Sequence, residues 1–213
     1  MRHLDSTLNG QTVLLDNAAA LTSLRAWAEA GEGNDAHNAF HFILAEVPTI
    51  APLFRIIQEQ RIHYADNKER RMLKIAAELM VPLHADGSLQ IILQMLARPT
   101  PTEEDPSKWL SIQTQPDGVP SILMIYIQRK RVEGGTCGRQ VEYGQRLLYC
   151  GAKFGIRGAL HFHSDHYTAV VGRGNRYYYC NDSTVKEITR SEAFGAYGDA
   201  RTVQMLMYSR IVQ

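Results

Sequence analysis

Three observations predict an α+β fold for this chain of 213 residues. Apolar positions repeat with a helical period up to about residue 98, short β-prone runs separated by Gly-rich turns follow residue 120, and a Pro-rich stretch lies between. The expected organisation is a helical lobe over 1–98, a connection over 99–119 and an antiparallel β-sheet lobe over 120–213. In the first lobe Ala20, Leu21, Leu24, Trp27 and Ala28 share one face of a helix that Gly31 would stop. Further helices are expected over 36–45, 50–60, 67–80 and 86–97. Met72, Ile75, Ala76 and Leu79 recur at i, i+3, i+4 and i+7, and Asp86 stands where a cap would. Five of the eight prolines fall within 99–120, with TEED and PDG, and imply a long connection with little regular structure. Beyond it, strands are expected over 121–127, 147–152, 166–171, 176–180 and 203–208.

Composition narrows the function. With 45% hydrophobic and 21% charged residues the chain reads as one soluble globular domain or two small lobes. Its 23 basic side chains are balanced by 22 acidic ones, so the cationic surplus that neutralises phosphates is missing and direct nucleic-acid contact is not expected. No apolar run approaches the roughly 20 residues of a membrane-spanning helix. MRHLDSTLNG has neither the apolar core of a secretory signal nor the pattern of an organellar presequence. Cys137, Cys150 and Cys180 form no CxxC pair and no disulfide framework, as expected of an intracellular, reducing compartment.

The chemistry concentrates in His161-Phe-His-Ser-Asp-His166-Tyr-Thr-Ala-Val-Val171 and in Arg176-Tyr-Tyr-Tyr-Cys-Asn181-Asp182, joined by the turn Gly172-Arg-Gly-Asn175. If Val171 pairs with Arg176, His166 lies directly opposite Asn181, within reach of an imidazole–carboxamide contact. A cysteine protease needs such a pair: a histidine to take the thiol proton and an amide or carboxylate oxygen to orient it. A one-residue change of register would bring Asp182 or Cys180 opposite instead, and a surface histidine beside a turn asparagine has the same spacing. A metal centre is the rival chemistry. His161 and His163 share a strand face and Asp165 and His166 follow, yet no distant fourth ligand stands out, so neither a metal nor a cofactor is expected. Cys150 and Cys180, inside apolar strands, read as small hydrophobes.

Taken together these residues resemble the ubiquitin-specific proteases, the papain-like deubiquitinases. Val119-Pro-Ser-Ile-Leu-Met-Ile-Tyr-Ile-Gln-Arg129 is similar to that family's apolar strand with its basic exit. His166-Tyr167-Thr168-Ala169 resembles its histidine box, with Asp165 where glycine is usual, and Tyr177-Tyr-Tyr-Cys-Asn181-Asp182 resembles the box of its third catalytic residue. Met205-Leu-Met-Tyr208-Ser-Arg210 resembles its closing strand, and Asp86–Leu96 the helix after its Gln-Gln-Asp signature, altered here to His84-Ala85-Asp86. The resemblance implies a papain-like fold with a helical thumb and an antiparallel palm. It implies His166 as general base, Asn181 as its orienting partner and Asp182 as a neighbour of the oxyanion site. Ubiquitin, a ubiquitin-like protein or the subunits of a larger complex become the implied partners.

The nucleophile departs from the family. Its Gly-Asn-Thr-Cys box matches Gly10-Gln11-Thr12-Val13, which puts valine at the thiol position. Alternatively Asp16-Asn17-Ala18 resembles the Asp-Asn-Cys turn of viral papain-like proteases, which puts alanine there. Neither side chain forms a thiolate, and Cys137 sits in a Gly-rich loop rather than at a helix N-terminus. The first alternative implies a natural pseudoenzyme that acts by binding, the second a cysteine-type deubiquitinase whose nucleophile has been replaced at Ala18. The family's zinc-tipped fingers, built on CxxC pairs, have only the Pro-rich connection in their place and are expected to be trimmed away.

Overall fold

The computed structural model describes residues 6–8, 11–13, 35–82, 85–101, 105, 107–129, 139–163 and 166–212. The helix expected around 20–28, the alternative nucleophile position Ala18, and His84, Cys137 and Asp165 lie outside them. The chain divides into two compact units, Met1–Ala51 and Pro52–Gln213.

In the first unit β1 (Ser6–Leu8) and β2 (Gln11–Val13) form an antiparallel hairpin, and α1 spans Ala36–Glu46 as expected. Asp35 caps α1, its carboxylate accepting from the His37 N–H at 2.9 Å, and the helix stops at Val47 before Pro48.

The second unit opens with the short α2 (Ala51–Phe54) and then departs from the helical expectation. Residues 56–76 form a hairpin of β3 (Ile56–His63) and β4 (Glu69–Ala76), paired without interruption from Ile56↔Ala76 to His63↔Glu69. The spacing of Met72, Ile75, Ala76 and Leu79 fits a helix, but the β-branched Ile56, Ile57 and Ile62 favour strands. Asp66-Asn67 supplies the turn, with Asn67 left-handed at φ 63°. Leu79 belongs to a third strand, β5 (Leu79–Val81). Next come β6 (Gly87–Ser88) and α3 (Leu89–Leu96). Ser88, not Asp86, is the N-cap of α3, and the Asp86 carboxylate accepts from the Gln140 N–H at 2.9 Å.

The Pro-rich stretch is also more regular than expected. It holds β7 (Thr100–Pro101), β8 (Trp109–Thr114) and a 3₁₀ turn at Pro116–Gly118, and with β3 and β4 it builds a four-stranded sheet in the order β4-β3-β8-β7. Among the described residues the prolines of this stretch lie in the edge strand β7 or outside the strands, and so cost this sheet no interior hydrogen bond. On one face Arg61 lies opposite Arg71, a like-charge pair neutralised by Glu59 and Glu69. Arg61 meets Glu59 at 2.5 Å and Arg71 meets Glu69 at 2.8 Å, with diagonal pairs at 3.8 and 3.9 Å.

The remaining strands are β9 (Ile122–Ile127), β10 (Val141–Glu142), β11 (Arg146–Tyr149), β12 (Ala152–His163), β13 (His166–Arg173), β14 (Arg176–Asn181), β15 (Thr184–Ile188) and β16 (Val203–Arg210). The five-residue α4 (Arg190–Phe194) precedes β16, closed by a capping box between Thr189 and Glu192. An eight-stranded sheet runs β15-β14-β13-β12-β16-β9-β5, with β11 on a further stretch of β12. All its neighbours are antiparallel except β5 with β9. Leu123, Ile125 and Ile127 of β9, Phe154 of β12, and Leu206 and Tyr208 of β16 lie at the centre of its core. The outer edge of β11 is closed by the Gln90 carboxamide, which donates to the Leu148 carbonyl at 2.8 Å and accepts from its N–H at 2.9 Å.

The 3₁₀ turn packs directly on β3. A Cβ at Gly118 would sit 2.5 Å from the Ile57 Cβ and 2.8 Å from its backbone N and O, where only glycine fits. Gly118→Ala is expected to cost about 1–3 kcal/mol by overpacking, read as a lower urea midpoint with unchanged m.

Candidate functional site

β13 and β14 bring the two residues singled out by sequence together. The hairpin turn is the two-residue Gly174-Asn175, with Gly174 at φ +60°, and the register runs from Arg173↔Arg176 to Ala169↔Cys180. The expected pairing of Val171 with Arg176 is therefore displaced by two residues. An even displacement leaves every side chain on its own face. His166 and Asn181 become diagonal rather than direct neighbours and still meet, His166 Nε2 lying 2.6 Å from Asn181 Oδ1.

That contact sets the tautomer. A carboxamide oxygen only accepts, so Nε2 carries the proton and the Nδ1 lone pair remains for a second partner. A ring held this way can take a proton at Nδ1 while Asn181 steadies the resulting imidazolium. Asp182 begins the β14–β15 turn in a left-handed conformation, φ 49°, and its Oδ2 is 3.9 Å from His166 Nε2. The side chain of His166 is 43% exposed and that of Asp182 80%, so water reaches both. Beneath Asn181, on the same face of β14, Tyr179 stacks on Tyr197 at 4.3 Å and Tyr177 meets Phe194 edge-on at 5.4 Å. This aromatic cluster, joined by buried Val170, Ile188 and Ala193, supports the strand that carries Asn181.

His161 and His163 do not assemble a metal centre with each other. His161 is buried, its Nδ1 3.1 Å from the Thr202 hydroxyl and its Nε2 3.4 Å from the Tyr143 hydroxyl, whereas His163 is exposed and paired in register with His166. The Thr202 hydroxyl donates to the Asp199 carbonyl and so accepts from Nδ1–H, which leaves Nε2 to accept from Tyr143. The neutral ring is thus satisfied on both nitrogens. Burial pushes its pKa down to about 4, although the charge and carbonyl of nearby Asp199 oppose that shift.

Arg129 belongs to the basic exit expected after β9, and the structure gives it a role that the sequence does not indicate. It is buried at 4% exposure and donates to the carbonyls of Val203 at 3.1 Å, Ala200 at 2.8 Å and Arg139. One guanidinium thereby ties the end of β9 to the start of β16 and to the segment entering β10. The signal available in sequence is a basic residue two positions after an apolar strand. Of the two alternative positions that sequence offers for the nucleophile, Val13 closes β2 in an extended strand.

Among solved structures the fold matches the SAGA DUB module Ubp8/Sgf11/Sus1/Sgf73 bound to monoubiquitin, with a TM-score of 0.71 and 15% identity over 88% of this chain and 52% of that one. The Ubp8-Sgf11-Sgf73-Sus1 module matches with a TM-score of 0.70 and 17% identity, over 84% of this chain and 49% of that one. A yeast SAGA DUB module with a substituted Sgf73 gives 0.70 and 14%, over 86% and 52%. The chain has a ubiquitin-specific-protease-like fold of mixed helices and antiparallel sheets, and it spans about half the length of these solved chains. No protein-family model and no curated protein matches the sequence. Among the described residues no helix is long and apolar enough to cross a membrane.

Two outcomes are expected. His161 contributes stability in full above pH 6.5 and loses it as pH falls towards 4, because the unfolded chain takes a proton that the folded one resists. The loss from this residue is about 3 kcal/mol, and His161→Gln should flatten that part of the melting-temperature profile. In ¹⁵N spectra of the imidazole, His166 should carry its proton on Nε2, and Asn181→Ala should redistribute it between the two nitrogens.

Proposed function

We propose that this chain is a catalytically silent deubiquitinase-like protein that works by binding, as an assembly subunit of a larger complex or as a receptor for ubiquitin-like tails. One observation carries the proposal. The base and its orienting partner are in contact at 2.6 Å, while both positions that align with the family's nucleophile, Val13 and Ala18, hold side chains that cannot attack a carbonyl. In this proposal His166, Asn181 and Asp182 are retained from the general base, its orienting partner and the neighbour of the oxyanion site. With no thiolate to give up its proton, Nδ1 of His166 becomes a hydrogen-bond acceptor for a bound backbone or side chain. An extended tail can then be held without an acyl-enzyme forming.

The class of partner draws support from the structural neighbours, named as modules in which Ubp8 assembles with Sgf11, Sus1 and Sgf73 and, in one case, binds monoubiquitin. In this reading the fingers are trimmed away, and the Pro-rich connection in their place contributes β7 and β8 to the sheet β4-β3-β8-β7. No cysteine precedes Cys137, so this sheet has no thiolate ligands for zinc. Charge pairs among Glu59, Arg61, Glu69 and Arg71 stabilise it instead. The second reading is a cysteine-type deubiquitinase or viral-type papain-like protease with its nucleophile replaced at Ala18. It is favoured by the same intact His166–Asn181 contact, which a binding protein has no need to keep.

The test is an NMR or calorimetric titration with monomeric ubiquitin, run beside a ubiquitin C-terminal fluorogenic amide assay of the chain and of Ala18→Cys. Saturable binding in the micromolar range, with no hydrolysis by either protein, is expected. Hydrolysis by Ala18→Cys that disappears on adding His166→Ala would establish the enzyme reading. No chemical-shift change at millimolar ubiquitin would eliminate the tail receptor and leave the assembly role.

A further inference from the structure

The sheet edges in the second unit are treated unequally. That of β11 is closed by Gln90. β15 is five residues long. β7 has two residues and β5 three. β4 has eight, in unbroken register with β3 and without a proline, and among the described residues nothing pairs with its outer side.

The side chains of β4 are as unusual as its length. On one face Leu73 is 72% and Ile75 63% exposed, beyond the ion pairs of Glu69 and Arg71. On the other face Arg70 and Lys74 flank Met72, and among the described residues neither cation makes an ion pair. A backbone edge and two cations four residues apart without partners among the described residues, together with two exposed aliphatic side chains, define a complement.

We propose that β4 is a docking edge that takes an extended, acidic–apolar segment of a partner protein as an added antiparallel strand. Directly opposed residues share a face, so the partner places apolar side chains against Ile75 and Leu73 and acidic ones against Lys74 and Arg70. Read from its N-terminus the segment is apolar, acidic, apolar, two unrestricted residues, acidic. A second copy of this chain fits badly. A two-fold axis through the sheet normal at Met72 sets Arg70 against Lys74, one at Leu73 sets Arg71 against Ile75 and Lys74 against Met72, and one at Lys74 matches Leu73 with Ile75 but sets Lys74 against its own copy. The interface does not depend on the function proposed above, since ubiquitin binding is measured separately.

The experiment titrates the chain with a capped peptide containing Val-Glu-Val-Thr-Thr-Glu, read by calorimetry and by amide hydrogen exchange over 69–76. Saturable binding with slowed exchange in β4 is expected. Binding should weaken at least tenfold in the double variant Arg70→Glu/Lys74→Glu and return when the peptide's glutamates are replaced by lysine. Thermal melting of the double variant checks that its fold is kept. The proposal is overturned by no binding at millimolar peptide, by affinity indifferent to the charge exchange, or by protection elsewhere than β4. Concentration-dependent dimerisation that Leu73→Lys abolishes would also overturn it, by making a second copy the occupant.

Discussion

The twelve-residue strand β12 is the constraint on which the eight-stranded sheet depends. It pairs with β11 through its first four residues, with β13 through its last six and with β16 along most of its length. Few strands meet three others, and β12 does so because its sequence lets backbones come close. A Cβ at Gly158 would lie 3.3 Å from the Val170 carbonyl, at the point where the pairing with β16 shifts register. Because β13 takes its register from β12, the placement of His166 opposite His163 is inherited from that strand. The position of the candidate base is therefore a property of the whole sheet rather than of the local hairpin.

Around this framework the polar groups that are buried serve to join elements. Arg129 holds three carbonyls from segments far apart in sequence, and Tyr208, fully buried, donates to the Gly144 carbonyl at 2.8 Å. Tyr149 and Thr114 join hydroxyls across the step from the eight-stranded sheet to the four-stranded one. Each bond satisfies a backbone or side-chain group that would otherwise be desolvated without a partner, so each is costly to remove. The His166–Asn181 contact differs in being half open to water. It joins two neighbouring strands of one hairpin rather than distant segments.

The four-stranded sheet shows how like charges brought together by strand register are neutralised. Two arginines placed directly opposite would repel, and flanking glutamates turn the repulsion into a lattice of four ion pairs. Exposed pairs of this kind are individually weak and screened by salt, which leaves the sheet dependent on its packing against the 3₁₀ turn at Gly118. Its outer strand keeps exposed aliphatic groups that such a small sheet cannot bury by itself.

Several strands of the second half were legible because alternation and turn residues are local signals. β9, β13, β14 and β16 lie within two residues of their expected bounds. β12 is legible only at His161 and His163, and the strand expected over 147–152 falls across β11, the turn at Cys150-Gly151 and the first residue of β12. Residues 56–76 were misread because the same apolar positions satisfy a helix and a hairpin, and pairing with β8, some fifty residues away, decides between them. The sequence by itself determined which residues could act as base and partner, and that neither Val13 nor Ala18 could act as nucleophile, since those are matters of side-chain chemistry. Only the tertiary structure decided that His166 and Asn181 meet diagonally, that Arg129 is buried and that, among the described residues, β4 ends its sheet. Register, burial and strand order arise from contacts between distant segments, which no local pattern encodes.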